Sequence, residues 1–168
     1  PLVIMTPKSM LRSKAAASSP EDFTNGSWRP AIGDESITDP SAVQAVILCS
    51  GKIRWELVAQ RAKRGLEGKV AIVSLERLYP LPTDDLAAEL ARYPHVTDIR
   101  FVQDEPLNQG PWPFMALHLP AALAEKMGGR EVELTPVARP ESSSPSVGLL
   151  KVHQAQEKVL MDQAFEGI

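Results

Sequence analysis

A chain of 168 residues can hold one domain with a full-sized core and is too short for two of comfortable size. Hydrophobic content of 43% and charged content of 23% are ordinary for a globular protein, and a net charge of -3 leaves no electrostatic footprint for nucleic-acid phosphates. No stretch approaches the length of a membrane span, and no secretory signal pattern opens the chain.

Leu2 to Met5 reads as a short strand, so the chain opens in mid-strand, as expected of a piece of a longer polypeptide. Thr6 offers an N-cap with Pro7 at the first helical position, which predicts a short helix over Lys8 to Ala16. Ser19-Pro20-Glu21-Asp22 repeats that start signal for one further turn. Asn25 to Ala42 is rich in Gly, Pro, Asp and Ser and predicts loop, with a short strand near Trp28 to Ile32. Residues 1–42 are therefore expected to be a linker and residues 43–168 the folded domain.

From Gln44 the pattern becomes regular. Gln44 to Cys49 is a continuous apolar run, as expected of a strand covered on both faces. Ser50 is placed to cap a helix whose Ile53, Leu57, Val58 and Ala62 share one side and which Gly65 ends. Lys52, Arg54, Arg61, Lys63 and Arg64 then read as the solvated face of that helix. Val70 to Leu75 is a second buried strand. Thr83-Asp84-Asp85 caps the next helix, with Leu86, Leu90 and Ala91 as its apolar stripe and acids suited to the helix dipole, and Pro94 closes it. Ile99 to Gln103 is a third strand. Helical pattern returns over Phe114 to Met127, bent at Pro120, and Val132 to Val137 is a weaker strand. Ser144-Pro145 starts a long final helix with Val152, Val159, Leu160 and Phe165 buried. This alternation predicts an α/β fold, a mostly parallel sheet with right-handed crossovers and helices on both faces.

The residues assemble no obvious active site. Cys49 is alone in an apolar run, which predicts a buried, inert thiol, no intrachain disulfide, and a reducing, cytoplasmic setting. No glycine pattern fits a dinucleotide fingerprint. The Ser50-Gly51-Lys52 turn ends a strand and opens a helix, a geometry that can hold an anion or simply cap the helix. His95, His118 and His153 are dispersed and lack metal-ligand spacing; His95 is expected in an exposed turn, and His153 could pair at an interface. Asp104 and Glu105 sit at the carboxyl end of a strand, where open α/β sheets place their sites, but adjacent side chains on an extended chain point to opposite faces. They suit interface pairing or capping better than acid–base catalysis. Trp112, between Pro111 and Pro113, reads as a rigid apolar anchor for packing or docking.

Four segments in order resemble one family. Thr6-Pro7-Lys8-Ser9-Met10-Leu11-Arg12 is similar to the segment that joins the pyrimidine-binding domain to the last domain of 2-oxoglutarate dehydrogenase first components. Leu48-Cys49-Ser50-Gly51-Lys52 resembles that family's strand-to-helix turn. Asp104-Glu105-Pro106-Leu107-Asn108-Gln109-Gly110-Pro111-Trp112 resembles its acidic-acidic-Pro-x-Asn-Gln-Gly-x-Trp signature. Arg139-Pro140-Glu141-Ser142-Ser143-Ser144-Pro145, with Lys151-Val152-His153-Gln154, resembles its carboxy-terminal motif.

The resemblance implies a transketolase C-terminal-like domain of a 2-oxoglutarate dehydrogenase or decarboxylase, of actinobacterial type. It implies thiamin diphosphate and Mg2+ bound outside this chain, upstream catalytic domains in the same protein, a homodimer, and succinyl transfer to a lipoyl-bearing acyltransferase. Catalytic residues would lie upstream, leaving this chain inactive alone. Asp104, Glu105, Asn108, Trp112 and His153 are the expected interface or docking residues. The actinobacterial branch binds acetyl-CoA as an activator partly on this domain, which places effector contacts near Ser27, Pro30, Arg77, Asp84 and Asp85. Basic residues would be expected at the last two positions, and carboxylates there would repel phosphate. Two other readings of the same pattern are a stand-alone acyl-CoA- or nucleotide-binding module and the equivalent domain of another thiamin enzyme.

Overall fold

A computed structural model describes all 168 residues. Its centre is a five-stranded sheet of order β1-β3-β2-β4-β5, with β1 at Ala31–Ile32, β2 at Ala45–Cys49, β3 at Val70–Leu75, β4 at Asp98–Pro106 and β5 at Leu134–Arg139. Every pairing is parallel except β1 with β3. The apolar runs that predict β2 and β3 are buried along their whole length because both faces of these strands are covered.

The layers follow from the side-chain alternation of a strand. Val46, Leu48, Ala71, Val73, Ile99 and Phe101 point to one face. There they meet Leu86 and Leu90 of α3 (Thr83–Leu90) and Met115, Leu119 and Leu123 of α4 (Trp112–Lys126). Ile47, Cys49, Ile72 and Val102 point to the other, against Ile53 and Leu57 of α2 (Ile53–Lys63) and Leu160, Met161 and Ala164 of α5 (Leu150–Ala164). The predicted class is therefore the observed one, a mostly parallel α/β sheet with helices on both faces.

Several local expectations change. Leu2 to Met5 joins no strand and is exposed, and Lys8 to Ala16 forms two short 3-10 turns, Lys8–Met10 and Lys14–Ala16, because no side chain caps them and none of their residues is buried. Ser19 does start a turn, α1 (Pro20–Thr24), closed by a capping box with Asp22. The sheet reaches into the expected linker, taking in Ala31 and Ile32, while Asp34 and Ile37 are buried beside it. Neither Ser50 nor Thr83 caps by its side chain; Lys52 and Pro82 occupy the N-cap positions. The final helix begins at Leu150 rather than near Ser144, and Val152 and Val159 are exposed while Leu160 and Phe165 are buried.

The basic helix face is the largest correction. Ala62 is exposed and Arg61 is buried, because Arg61 reaches the Asp34 carboxylate and also donates to the carbonyl of Val70 at 2.7 Å and to Ser36 Oγ at 2.9 Å. Asp34 Oδ2 in turn accepts from the Ile72 N–H at 2.9 Å. Burial pushes the Asp34 carboxyl up, but these hydrogen bonds and the guanidinium charge prevail and hold it below the usual carboxylate range. The pair clamps the Gly33–Ile37 loop to α2 and β3.

Candidate functional site at the carboxyl edge of the sheet

Neighbouring strands β2 and β4 are followed by α2 and α4, which lie on opposite faces of the sheet. Such a switch point opens a crevice at the carboxyl ends of the strands, the place where open α/β sheets carry their sites. Here each parallel strand ends in charge: Lys52 follows β2, Glu76 and Arg77 follow β3, Asp104 lies near the end of β4, and Arg139 ends β5. Gly51, at a φ of 75°, makes the tight turn from β2 toward α2.

Asp104 is the hub of this edge. Its carboxylate accepts from Lys52 Nζ at 2.9 Å and from Arg139 Nη2 at 2.7 Å, and Lys52 also reaches Glu56 at 2.6 Å. Burial pushes Asp104 up in pKa, yet the hydrogen bonds and charges of Lys52 and Arg139 outweigh it and hold the carboxyl low. Arg139, buried, also donates to the carbonyls of Asp104 at 2.8 Å and His153 at 3.1 Å, tying β4, β5 and α5 together. Two acids, Asp104 and Glu56, are thus shared between two cations within the chain.

The loop from Asp104 to Trp112 is organised by Gln103, a residue that no sequence signal singled out except its polar character at the end of an apolar strand. Gln103 is buried; its Nε2 donates to the carbonyls of Pro106 and Gln109, each at 2.9 Å, and its Oε1 accepts from the Trp112 N–H at 2.8 Å. Asn108 grips the backbone of Ser142 from both sides, donating to its carbonyl at 2.9 Å and accepting from its N–H at 3.1 Å, and Gln109 adds a bond to the same carbonyl at 2.8 Å. Gly110 has a φ of 64°, and a Cβ there would lie 2.9 Å from the Glu105 side chain, so the position requires glycine twice over. Trp112 is not a free projection: it packs on the core, with its ring 6.1 Å from Phe101.

Three of the four quoted segments therefore meet at one edge, and the fourth lies beside it. Thr6, Pro7 and Met10 line a cleft of about 620 Å³ together with Gly51, Lys52, Arg54 and Trp55. The chain belongs to a known family. It matches the family described as 2-oxoglutarate dehydrogenase C-terminal over residues 17–165. It is 47% identical over 99% of its length to a 2-oxoglutarate dehydrogenase E1/E2 component of Corynebacterium glutamicum, covering 13% of that protein. It is 39% identical over 98% of its length to a 2-oxoglutarate dehydrogenase E1 component of Haemophilus influenzae, covering 17% of that protein. A split-gene transketolase, an inactive β4 tetramer, aligns over 82% of this chain and 42% of its own at 13% identity and a TM-score of 0.49, too remote to argue from. The chain thus spans only 13% to 17% of the length of these curated relatives, and it is the C-terminal domain of a 2-oxoglutarate dehydrogenase first component.

The remaining residues expected to be functional fall at three places. Arg77 stacks over Trp28, with its guanidinium carbon 5.8 Å from the ring, and donates to the Pro80 carbonyl at 2.8 Å; the Pro30 carbonyl accepts from the Arg77 N–H at 3.1 Å. Ser27, Pro30 and Arg77 are therefore drawn to one neighbourhood. Asp84 instead pairs with Lys126 at 2.7 Å. His153 sits 3.9 Å from Glu157 on α5. His95 is exposed in its turn and bonds the Val43 carbonyl at 2.9 Å. Cys49 is buried, and burial pushes its thiol up to about 12. No group of three or more His, Cys, Asp and Glu side chains could hold a metal ion, and Asp104 is already paired with Lys52 and Arg139, so the residues of this chain do not fit a diphosphate-bound cation. No helix is long and apolar enough to cross a membrane.

Proposed function

We infer that this domain steadies the thiamin diphosphate- and Mg2+-dependent centre of a cytoplasmic 2-oxoglutarate dehydrogenase or decarboxylase whose reacting groups lie on other domains of the same polypeptide. The family membership over residues 17–165 carries this reading. It is supported by an edge whose ion pairs are closed on themselves. In the whole protein, decarboxylation of 2-oxoglutarate would be followed by succinyl transfer to a lipoyl-bearing acyltransferase. The protein would act as a homodimer, with Glu105 and the outer surfaces of Asn108, Trp112 and His153 toward neighbouring domains or subunits. The test is turnover: the intact protein is expected to release CO2 from 2-oxoglutarate, and the 168-residue chain to release none. Activity of the chain alone, or of the intact protein only on sugar phosphates, would refute the reading.

A second role is favoured by one observation, the Trp28, Pro30 and Arg77 neighbourhood. An acyl-CoA effector could place a phosphate on Arg77 and a flat group near Trp28, with Ser27 adjacent. The exposed acids Asp84 and Asp85 would oppose any highly charged part of the ligand that came near them. Calorimetric titration of the intact protein with acetyl-CoA is expected to show saturable heat that Arg77→Ala removes; heat unchanged by that substitution would place the effector elsewhere.

A further inference from the structure

Helix α5 carries a second apolar stripe, which this domain does not cover. Its core side holds Leu160, Met161 and Ala164, while Leu149, Val152 and Val159 stand 69, 40 and 54% exposed. Leu149, Val152, Gln156, Val159 and Gln163 follow one another at alternating steps of three and four residues, the spacing of a seam between paired helices. Lys151 and Lys158 fall just outboard of the two valines, which leaves the seam itself without charge. Neither glutamine side chain has a hydrogen-bond partner within the domain. The seam borders a groove of about 450 Å³ between α5 and β5, whose walls include Pro136, Ala138 and Pro140. β5 is an edge of the sheet, and Pro136 has no N–H to offer an added strand, so this face suits a helix instead.

We propose that this seam pairs with its own copy across a twofold axis at Gln156, so that the α5 helices of two subunits run antiparallel. The proposal rests on the homodimer reading above and deepens it by naming one contact. The seam is self-complementary about that axis, as an isologous interface must be. Val152 meets the partner's Val159, Leu149 meets the partner's Gln163, and Gln156 meets the partner's Gln156. A glutamine amide carries both a donor and an acceptor, so two of them can satisfy each other. A polar residue within an otherwise apolar seam also fixes its register. Ala155, beside the axis, is small enough to let the two helices approach closely. The seam is shorter than the roughly three or four heptads of a free-standing coiled coil, and a stable interface buries about 1,200–2,000 Å². The contact therefore adds to a dimer held mainly by other parts of a longer polypeptide, consistent with relatives of which this chain spans 13% to 17%.

Disulfide cross-linking of the intact protein, together with its native mass, tests this. Cys49 is buried, and the unmodified protein supplies the baseline for any other cysteine. Under mild oxidation Gln156→Cys is expected to link two subunits at least about 10-fold more than Lys158→Cys, because only facing positions bring two Cα atoms within about 7 Å. In the Gln156→Cys background, Val159→Asp should cut that yield about 10-fold, since it buries an unpaired charge in the seam, and Val159→Ile should keep it. An intact protein that is monomeric by native mass would overturn the homodimer reading and the proposal together. A dimer in which Gln156→Cys links no better than Lys158→Cys would overturn the proposal alone. Should Val159→Asp prevent folding, the comparison of the two single cysteine substitutions decides.

Discussion

Residues 1–29 and the carboxyl edge lie side by side, yet they are held in opposite ways. None of residues 1–29 is buried, and every hydrogen bond from residues 1–28 closes within that segment. Its links to the body are the exposed Arg29–Glu35 pair and the stacking of Arg77 on Trp28. At the edge, by contrast, Gln103, Asp104 and Arg139 cross-link strand ends and a loop through buried or half-buried bonds, and the exposed Asn108 adds a two-way grip on Ser142. Apolar content does not separate them, since the first segment carries Leu2 to Met5, Leu11, Phe23 and Trp28. What separates them is whether each group finds its partner inside this domain.

That contrast can be broken most sharply at Arg61. Arg61→Ala would leave the Asp34 carboxylate buried without its cation, and is expected to destabilise the chain by about 3–5 kcal/mol, read as a lowered urea midpoint at constant slope. A shift below about 1 kcal/mol would show the clamp to be dispensable. Asp104→Ala should follow, at about 2–4 kcal/mol, because Arg139 and Lys52 lose their shared acceptor. Gln103→Ala should cost about 2–3 kcal/mol by leaving the Trp112 N–H and two carbonyls without their partner, and should also red-shift Trp112 emission.

Acid provides a milder probe. The Asp34 and Asp104 carboxyls are both held below their ordinary range in the folded protein. Their contribution is fully present above the unfolded carboxylate pKa and is lost as pH falls through the depressed folded values, so melting temperatures should drop below about pH 4. Asp104→Asn should flatten part of that drop; an unchanged profile would mean that the edge pairs contribute nothing. The smallest effect belongs to the first region. Phe23→Ala in the isolated chain should change stability by less than about 0.5 kcal/mol, as exposed positions without partners do.

The fold was legible because its signals are local and repeated. Apolar runs at Ala45–Cys49 and Val70–Leu75 bounded by Gly and polar turns give buried strands, and stripes such as Leu86 and Leu90 give helix faces. The quoted segments located the edge without explaining it. Arg139 was visible within its segment but not as the partner of Asp104, 35 residues away. Arg61 was misread as solvated because its spacing on the helix resembles that of its neighbours, and only the approach of Asp34, 27 residues earlier, reverses it. The helix starts failed for a related reason: Ser50 and Thr83 are good caps in isolation, but the turns that feed α2 and α3 put Lys52 and Pro82 at the cap positions.

The amino-acid sequence by itself determined the layer architecture and the family, since periodicity and short motifs are properties of neighbouring residues. The tertiary structure alone decided which charges are paired, which cap is used, and that no strand of this sheet receives Leu2–Met5. Those outcomes depend on groups distant in sequence arriving within hydrogen-bonding reach, where desolvation and partner geometry, not residue type, set the energy.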